Sequence, residues 1–284
     1  MTDDFGALTG VVTTPTGHDR VRTEAVLDDR WRIVYAQGGA VMAATLEGAL
    51  AAVPRDDLRL ASAATTFHRP VGCGPVVLDA LVLRASRSGA QVAVELRAPG
   101  EEAASPAVTT TAVLAAEQPG WPDLVGTRMP AALADDPDPT HDRLGVFDPG
   151  GANVFPFFDE TEWRVAPADS LPPLTWRGWF RFTGTPARNG GTPWPAPLLA
   201  VPADALGCSV VPDVRRDDAP VFALSLQMSL HVLGPAVGNW LALESRGLHV
   251  ADGIATGLTT LWDEAGGPVA VSTQTALLRA MPSS

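Results

Sequence analysis

Lysine is absent from this chain of 284 residues: there are 20 basic residues, and every one is arginine. Against 32 acidic residues they leave a formal charge of −12. An acidic chain without a basic stripe repels phosphate backbones, so nucleic acid is excluded as an expected partner. Cysteine is scarce too. Cys73 and Cys208 are too few for a disulfide framework or a metal cluster, and reduced thiols in a cytoplasmic protein are the expectation. No apolar run reaches the ~18 residues of a membrane span, so no membrane partner is expected. The acidic start, Met1–Val12, lacks the basic region of a secretory signal. No cofactor is expected. What remains is a chain that is 46% hydrophobic and 18% charged, enough to bury a sizeable core.

Residues 1–30 read as a lead-in with a candidate strand at Asp19–Leu27. Gln37-Gly38-Gly39 then opens Ala40–Val53, rich in Ala, Leu and Met, which predicts a long buried helix with a close-packed N-terminus. Pro54 stops it. The runs Leu58–Arg69, Pro75–Ala85, Gln91–Arg97 and Ala107–Ala115, bounded by Gly, Pro or Ser, predict strands. Residues 119–155 carry interleaved prolines with Asp135, Asp136 and Asp138, and read as a linker with a solvated charge run.

A second series follows. Thr161–Ala166 and Leu174–Thr183 alternate as strands do, and Gly184–Pro195 is a loop. Leu198–Leu206 is a helix candidate whose Pro202 demands a kink or a late start. Phe222–Leu233, Trp240–Val250, Ile254–Asp263 and Pro268–Arg279 predict four closing strands.

Helix-then-four-strands is thus written twice. Turn Arg87-Ser88-Gly89 matches Ala251-Asp252-Gly253, His68-Arg69-Pro70 matches Leu233-Gly234-Pro235, and the Ala-Val-Thr-Thr run near Thr109 matches Ala270–Thr273. In that alignment Thr111 stands opposite Gln274. The expected fold class is α+β: two antiparallel sheets joined into one extended sheet, each wrapping a central helix. The expected units are residues 1–118, a linker at 119–155, and residues 156–284. Helix first and then consecutive strands argues against a doubly wound α/β fold.

At the C-terminal end, Ser225–His231, Trp240–Leu243 and Gln274–Arg279 resemble the second half of acyl-CoA thioesterase II, a double hot-dog protein. Gln37-Gly38-Gly39 and Thr66–Pro70 resemble its first half. The resemblance spans about Trp31 to Arg279 without the linker. It implies hydrolysis of an acyl-CoA or similar thioester, and association into a homodimer or larger assembly. It also implies an Asp, a Thr or Ser, and a Gln that hold a water; by position these fall on Asp204, Ser225 and Gln274. Two positions depart from the family pattern: Gln227 stands where Asp is frequent, and Ala64 where a His is expected.

The chemistry suits those residue types. A carboxylate can take a proton from water as general base. A hydroxyl and an amide can orient that water. Gly38 and Gly39 are expected at the substrate, where backbone amides at a helix N-terminus could meet a developing oxyanion. His231 is a further substrate-binding candidate, although a satisfied core histidine is the ordinary reading of such a position. Taken singly, an Asp at a helix end is usually a cap, and a Ser in a strand usually bonds backbone. Two other readings stay open. One is a non-catalytic acyl-thioester-binding protein. The other is a hot-dog hydratase, for which the expected Asp/His pair with a helix Asn has no matching pattern here.

Overall fold

The computed structural model describes residues 6–101, 104–120, 122, 124–134, 155–166, 171–183, 194–214 and 221–280. The charge run at 135–138 and most of the loop at 184–195 lie outside the described residues. Strands β1 (Leu8–Pro15) and β2 (Arg20–Leu27) form an opening hairpin. Helix α1 (Gly38–Ala52) follows, then β3 (Leu58–Phe67), β4 (Gly74–Ser86), β5 (Gly89–Arg97) and β6 (Val108–Ala116). The second half repeats this plan. A single turn, α2 (Phe157–Glu160), leads into β7 (Thr161–Val165) and β8 (Thr175–Phe182). Helical pieces α3 (Ala200–Ala203) and α4 (Leu206–Val210) precede β9 (Val221–Val232), β10 (Leu241–Ala251), β11 (Ile254–Trp262) and β12 (Pro268–Ala280).

The strands form one 12-stranded antiparallel sheet in the order β1-β2-β4-β5-β6-β3-β9-β12-β11-β10-β8-β7. Each half of the chain fills one half of the sheet, and the β3–β9 ladder, Ser62↔His231 to Thr66↔Gln227, is the seam. This is the double hot-dog arrangement. The matched turns are hairpins in both halves, between β4 and β5 and between β10 and β11. Strand β1 was not foreseen: Gly10 at φ +60° breaks its register, and Val11 and Val12 are exposed on the sheet edge, so no period-two buried face marks it.

Helix α1 forms because its Ala-rich run lacks any breaker before Val53-Pro54. The Gln37 side chain caps it by accepting from the Ala40 amide at 2.7 Å. Its residues from Gly39 to Leu46 are all buried, as befits a helix wrapped by sheet on one side and crossed by another helix on the other. The second helix is broken. Ala196–Leu199 is a 3-10 turn, α3 begins only at Ala200, and the chain leaves helical geometry at Asp204 (φ −83°, ψ 52°) before α4. Pro202 accounts for the late start: it falls in the first turn, where a missing N–H costs nothing.

The two helices touch backbone to backbone. A Cβ on Gly39 would stand 2.2 Å from the Ala200 carbonyl oxygen. Part of the linker is packed as well: Leu133 and Met129 lie against Trp179, Trp240 and Trp262. Among the described residues no helix is long and apolar enough to cross a membrane. Because the Ala200 backbone cannot retract from a buried contact, Gly39→Ala is expected to lower stability by about 2 kcal/mol or more in urea unfolding. Gly72→Ala, with open space around it, should stay within about 0.5 kcal/mol of wild type.

Candidate active site

The break between α3 and α4 puts the Asp204 side chain against the N-terminus of α1. Oδ2 accepts from the Gly39 amide at 2.9 Å and from Gln37 Nε2 at 3.0 Å. Oδ1 accepts from Ser225 Oγ at 3.1 Å and from the Gln274 amide. Gln274 Nε2 also donates to Ser225 Oγ at 2.8 Å, while its Oε1 accepts from the Leu206 amide at 3.4 Å. Asp204, Ser225 and Gln274 therefore meet in one cluster, although 70 residues separate the outer two.

A β-bulge aims Ser225 inward. Across the ladder to β12, Thr275 pairs with Gln227 but Ala276 pairs with Ser225, so Leu226 is an extra residue on β9. Before the bulge odd-numbered residues face the helices; after it the even ones do, with Met228 and Leu230 fully buried. The same shift corrects the expectation for His231. It lies beyond the bulge on the outward face, exposed and paired with Ser62 and Val271, about 20 Å along the strand from Ser225. It does not line the cavity.

The cluster forms part of the wall of a cavity of about 200 Å³. Gln37 and Gly38 line it beside Asp204, Ser225 and Gln274; Gly39 does not. The glycines also have a packing role, and Gly38 keeps its place on the cavity wall. A Cβ on Gly38 would stand 2.8 Å from Asp204 Oδ2 and 2.9 Å from Ser225 Oγ. Both glycines thus make room for protein groups, and the Gly39 amide serves the carboxylate rather than a substrate oxygen. The rest of the wall is apolar and aromatic. Phe157 and Trp163 are buried in it, Trp163 standing edge-on to Phe180 at 4.7 Å, and Tyr35, His68 and Pro70 lie at the exposed rim. Arg69 also lines the cavity and bonds Glu101 and the Ser105 carbonyl. Arg177 and Arg181 do not reach it: Arg177 bonds Glu244, and Arg181 bonds Glu162 and stacks on Trp240.

Burial pushes the Asp204 carboxyl up to about 6, opposed by the donors from Gly39, Gln274, Ser225 and Gly38. It is a carboxylate at neutral pH with a basicity suited to accepting a proton. Cys208, on the same wall, is pushed up to about 12 by burial and by the Asp204 charge, so it is a neutral thiol and no nucleophile.

The first half carries a sealed counterpart. Thr110 on β6 bonds Thr45 of α1 at 2.7 Å and Thr65 of β3 at 2.8 Å, all buried. Thr110 pairs with buried Thr65 as Gln274 pairs with buried Met228. The equivalent of Gln274 is accordingly Thr110. Thr111, which the sequence alignment placed there, is exposed on the other face. A one-residue slip reverses the face of a strand residue. Gln37 was missed as a partner of Asp204; its signal was a glutamine at a helix N-cap, where Ser, Thr, Asp or Asn is the ordinary choice.

Among solved structures the chain is similar to a Thermobifida fusca protein assigned to thioesterase II. That match has a TM-score of 0.73, 24% identity, and coverage of 94% of this chain and 95% of that one. It is similar to the acyl-CoA thioesterase II TesB2 of Mycobacterium marinum, with TM-score 0.67, 19% identity and coverage of 95% and 96%. A hot-dog protein of unknown function from Alicyclobacillus acidocaldarius matches with TM-score 0.71, 19% identity and coverage of 95% and 97%. At these identities the likeness shows the fold. No curated protein sequence matches the chain. The family model of the acyl-CoA thioesterase N-terminal domain matches residues 27–115, and that of the C-terminal domain matches residues 129–278. Family models thus cover well over half of its length, and the chain belongs to the acyl-CoA thioesterase family, the thioester hydrolases.

Proposed function

We propose that this chain hydrolyses acyl-CoA or a closely related thioester, with Asp204 as general base and with Ser225 and Gln274 orienting the water. The observation that carries this reading is a half-buried carboxylate on the wall of a largely apolar cavity, with its Oδ1 shared between a hydroxyl and an amide. A water on the cavity side of the cluster, admitted when the Ser225 hydroxyl turns from Oδ1 toward it, would give its proton to Oδ1 as its oxygen attacks the thioester carbon. The C–S bond then breaks, the thiolate takes the proton from Asp204, and a free acid and a thiol leave. The neutral amide and hydroxyl cannot serve as base at neutral pH, which leaves the carboxylate.

The division into a first hot-dog unit at 1–118 and a second at 156–284 belongs to the same proposal, supported by the sheet order in which each half keeps its own six strands. So does homo-oligomeric association, supported by the exposed Val11 and Val12 on the edge strand β1. The binding-protein reading has one observation in its favour: Asp204 already accepts four hydrogen bonds, so Ser225 must turn away before Oδ1 can hold a water.

With an acyl-CoA panel, Asp204→Asn should lower kcat by about 10²–10⁴-fold. An unchanged rate would remove Asp204 from the role of base. In wild type, kcat/KM should rise about tenfold per pH unit below 6 and level off above it, because the carboxylate is the active form. The stability profile should run the other way. The folded pKa lies above the ordinary 3.8, so Asp204 favours folding when protonated, and that contribution is lost as pH rises from about 4 to about 6. Calorimetry at matched pH should find the stability of wild type relative to Asp204→Asn falling by about 3 kcal/mol across that window. Glu47, raised to about 7 by burial against the backbone bonds of Ala7 and Leu8, contributes equally to both proteins and cancels in the difference.

A further inference from the structure

We propose that Gln37 is a positioning residue for Asp204: it clamps Oδ2 of the carboxylate from the other half of the chain, and so leaves Oδ1 as the oxygen that takes the proton. This rests on the thioester-hydrolase reading of the site. Both N–H donors and one acceptor position of the Gln37 amide are assigned. Oε1 accepts from the Ala40 amide at 2.7 Å, and Nε2 donates to the Val201 carbonyl at 3.1 Å and to Asp204 Oδ2 at 3.0 Å. The opposite amide orientation would set an oxygen against two acceptors and an N–H₂ group against a donor, so the network admits one orientation. Gln37 is 7% exposed.

The clamp acts where the backbone cannot. Asp204 stands in the gap between α3 and α4, outside helical geometry, so no helix fixes its side chain. Gln37 holds both the carboxylate and the carbonyl of Val201, three residues earlier. It thereby fixes the carboxylate relative to α3 and to the N-terminus of α1 together. With Gly39 N it places two donors on Oδ2, which sets the rotation of the carboxylate plane. Oδ1 then points at Ser225 and Gln274. A donor to a buried carboxylate also favours the charged form over the acid. Among the described residues the other ionisable groups at this cavity are Cys208, Tyr35, His68 and Arg69. Because a pH–rate profile does not say which of these groups it reports, the test follows Asp204 directly.

Two substitutions separate the clamp from the helix cap. Gln37→Met removes both. Gln37→Ser keeps a side-chain cap for the first turn of α1 but is too short to reach Asp204. Both variants should raise the Asp204 titration midpoint by about one pH unit, followed by carbon NMR of the carboxyl with Asp204→Asn as the assignment control. The acid limb of kcat should move with it. At pH 6, kcat should fall about fivefold while KM changes less than about twofold. A midpoint and an acid limb that stay at the wild-type values in Gln37→Ser overturn the proposal. So does a fall in kcat without any shift in titration, which would make Gln37 merely structural. If the wild type cleaves no thioester, the hydrolase reading fails, and the NMR titration alone still decides whether Gln37 holds the carboxylate.

Discussion

A carboxylate taken out of water without partners costs several kcal/mol and is ordinarily protonated instead. Asp204 is half-buried, and its charge is sustained by donors drawn from both halves of the chain. Gln37 and Gly39 come from the first half; Ser225 and Gln274 come from the second. Neither half alone surrounds this group. The catalytic proposal, the broken second helix and the paired glycines of α1 all depend on keeping this ion hydrogen-bonded inside an apolar wall.

The close approach needed for this is bought by two glycines. Gly39 lets the backbones of α1 and the Ala200 segment touch, and Gly38 leaves space for Asp204 and Ser225. The helix that carries Asp204 must also end where it does. Helical continuation through Asp204 would carry its side chain around the axis, away from the place where Gln37, Gly39, Ser225 and Gln274 meet it. The interruption of the second helix is therefore part of the site.

The two halves share a pattern and differ in its chemistry. Each joins a polar residue of its helical segment, Thr45 within α1 and Asp204 at the end of α3, to polar residues on the strands beneath. In the first half these are Thr45, Thr110 and Thr65, closed off and containing only hydroxyls. In the second they are Asp204, Ser225 and Gln274, with a charge and an opening onto a cavity. A triad of hydroxyls satisfies itself and cannot accept a proton at neutral pH. The first half contributes instead from its helix terminus, across the seam.

Strand-bearing runs were legible in the sequence because Gly, Pro and Ser clusters bound them, and α1 because its Ala-rich run meets no breaker before Val53-Pro54. The edge strand β1 was not, because Gly10 and its exposed valines erase alternation. Motif order determined the double hot-dog plan and drew Asp204, Ser225 and Gln274 out of a uniform background. Tertiary structure decided the rest. Only the bulge at Leu226 turns Ser225 toward the helices and His231 away from them, and only pairing tells Thr110 from Thr111. Periodicity along a chain sets which residues share a face. It does not say where that periodicity slips by one residue, or that Gln37 and Asp204, 167 residues apart, meet across a contact that exists only when both halves have folded.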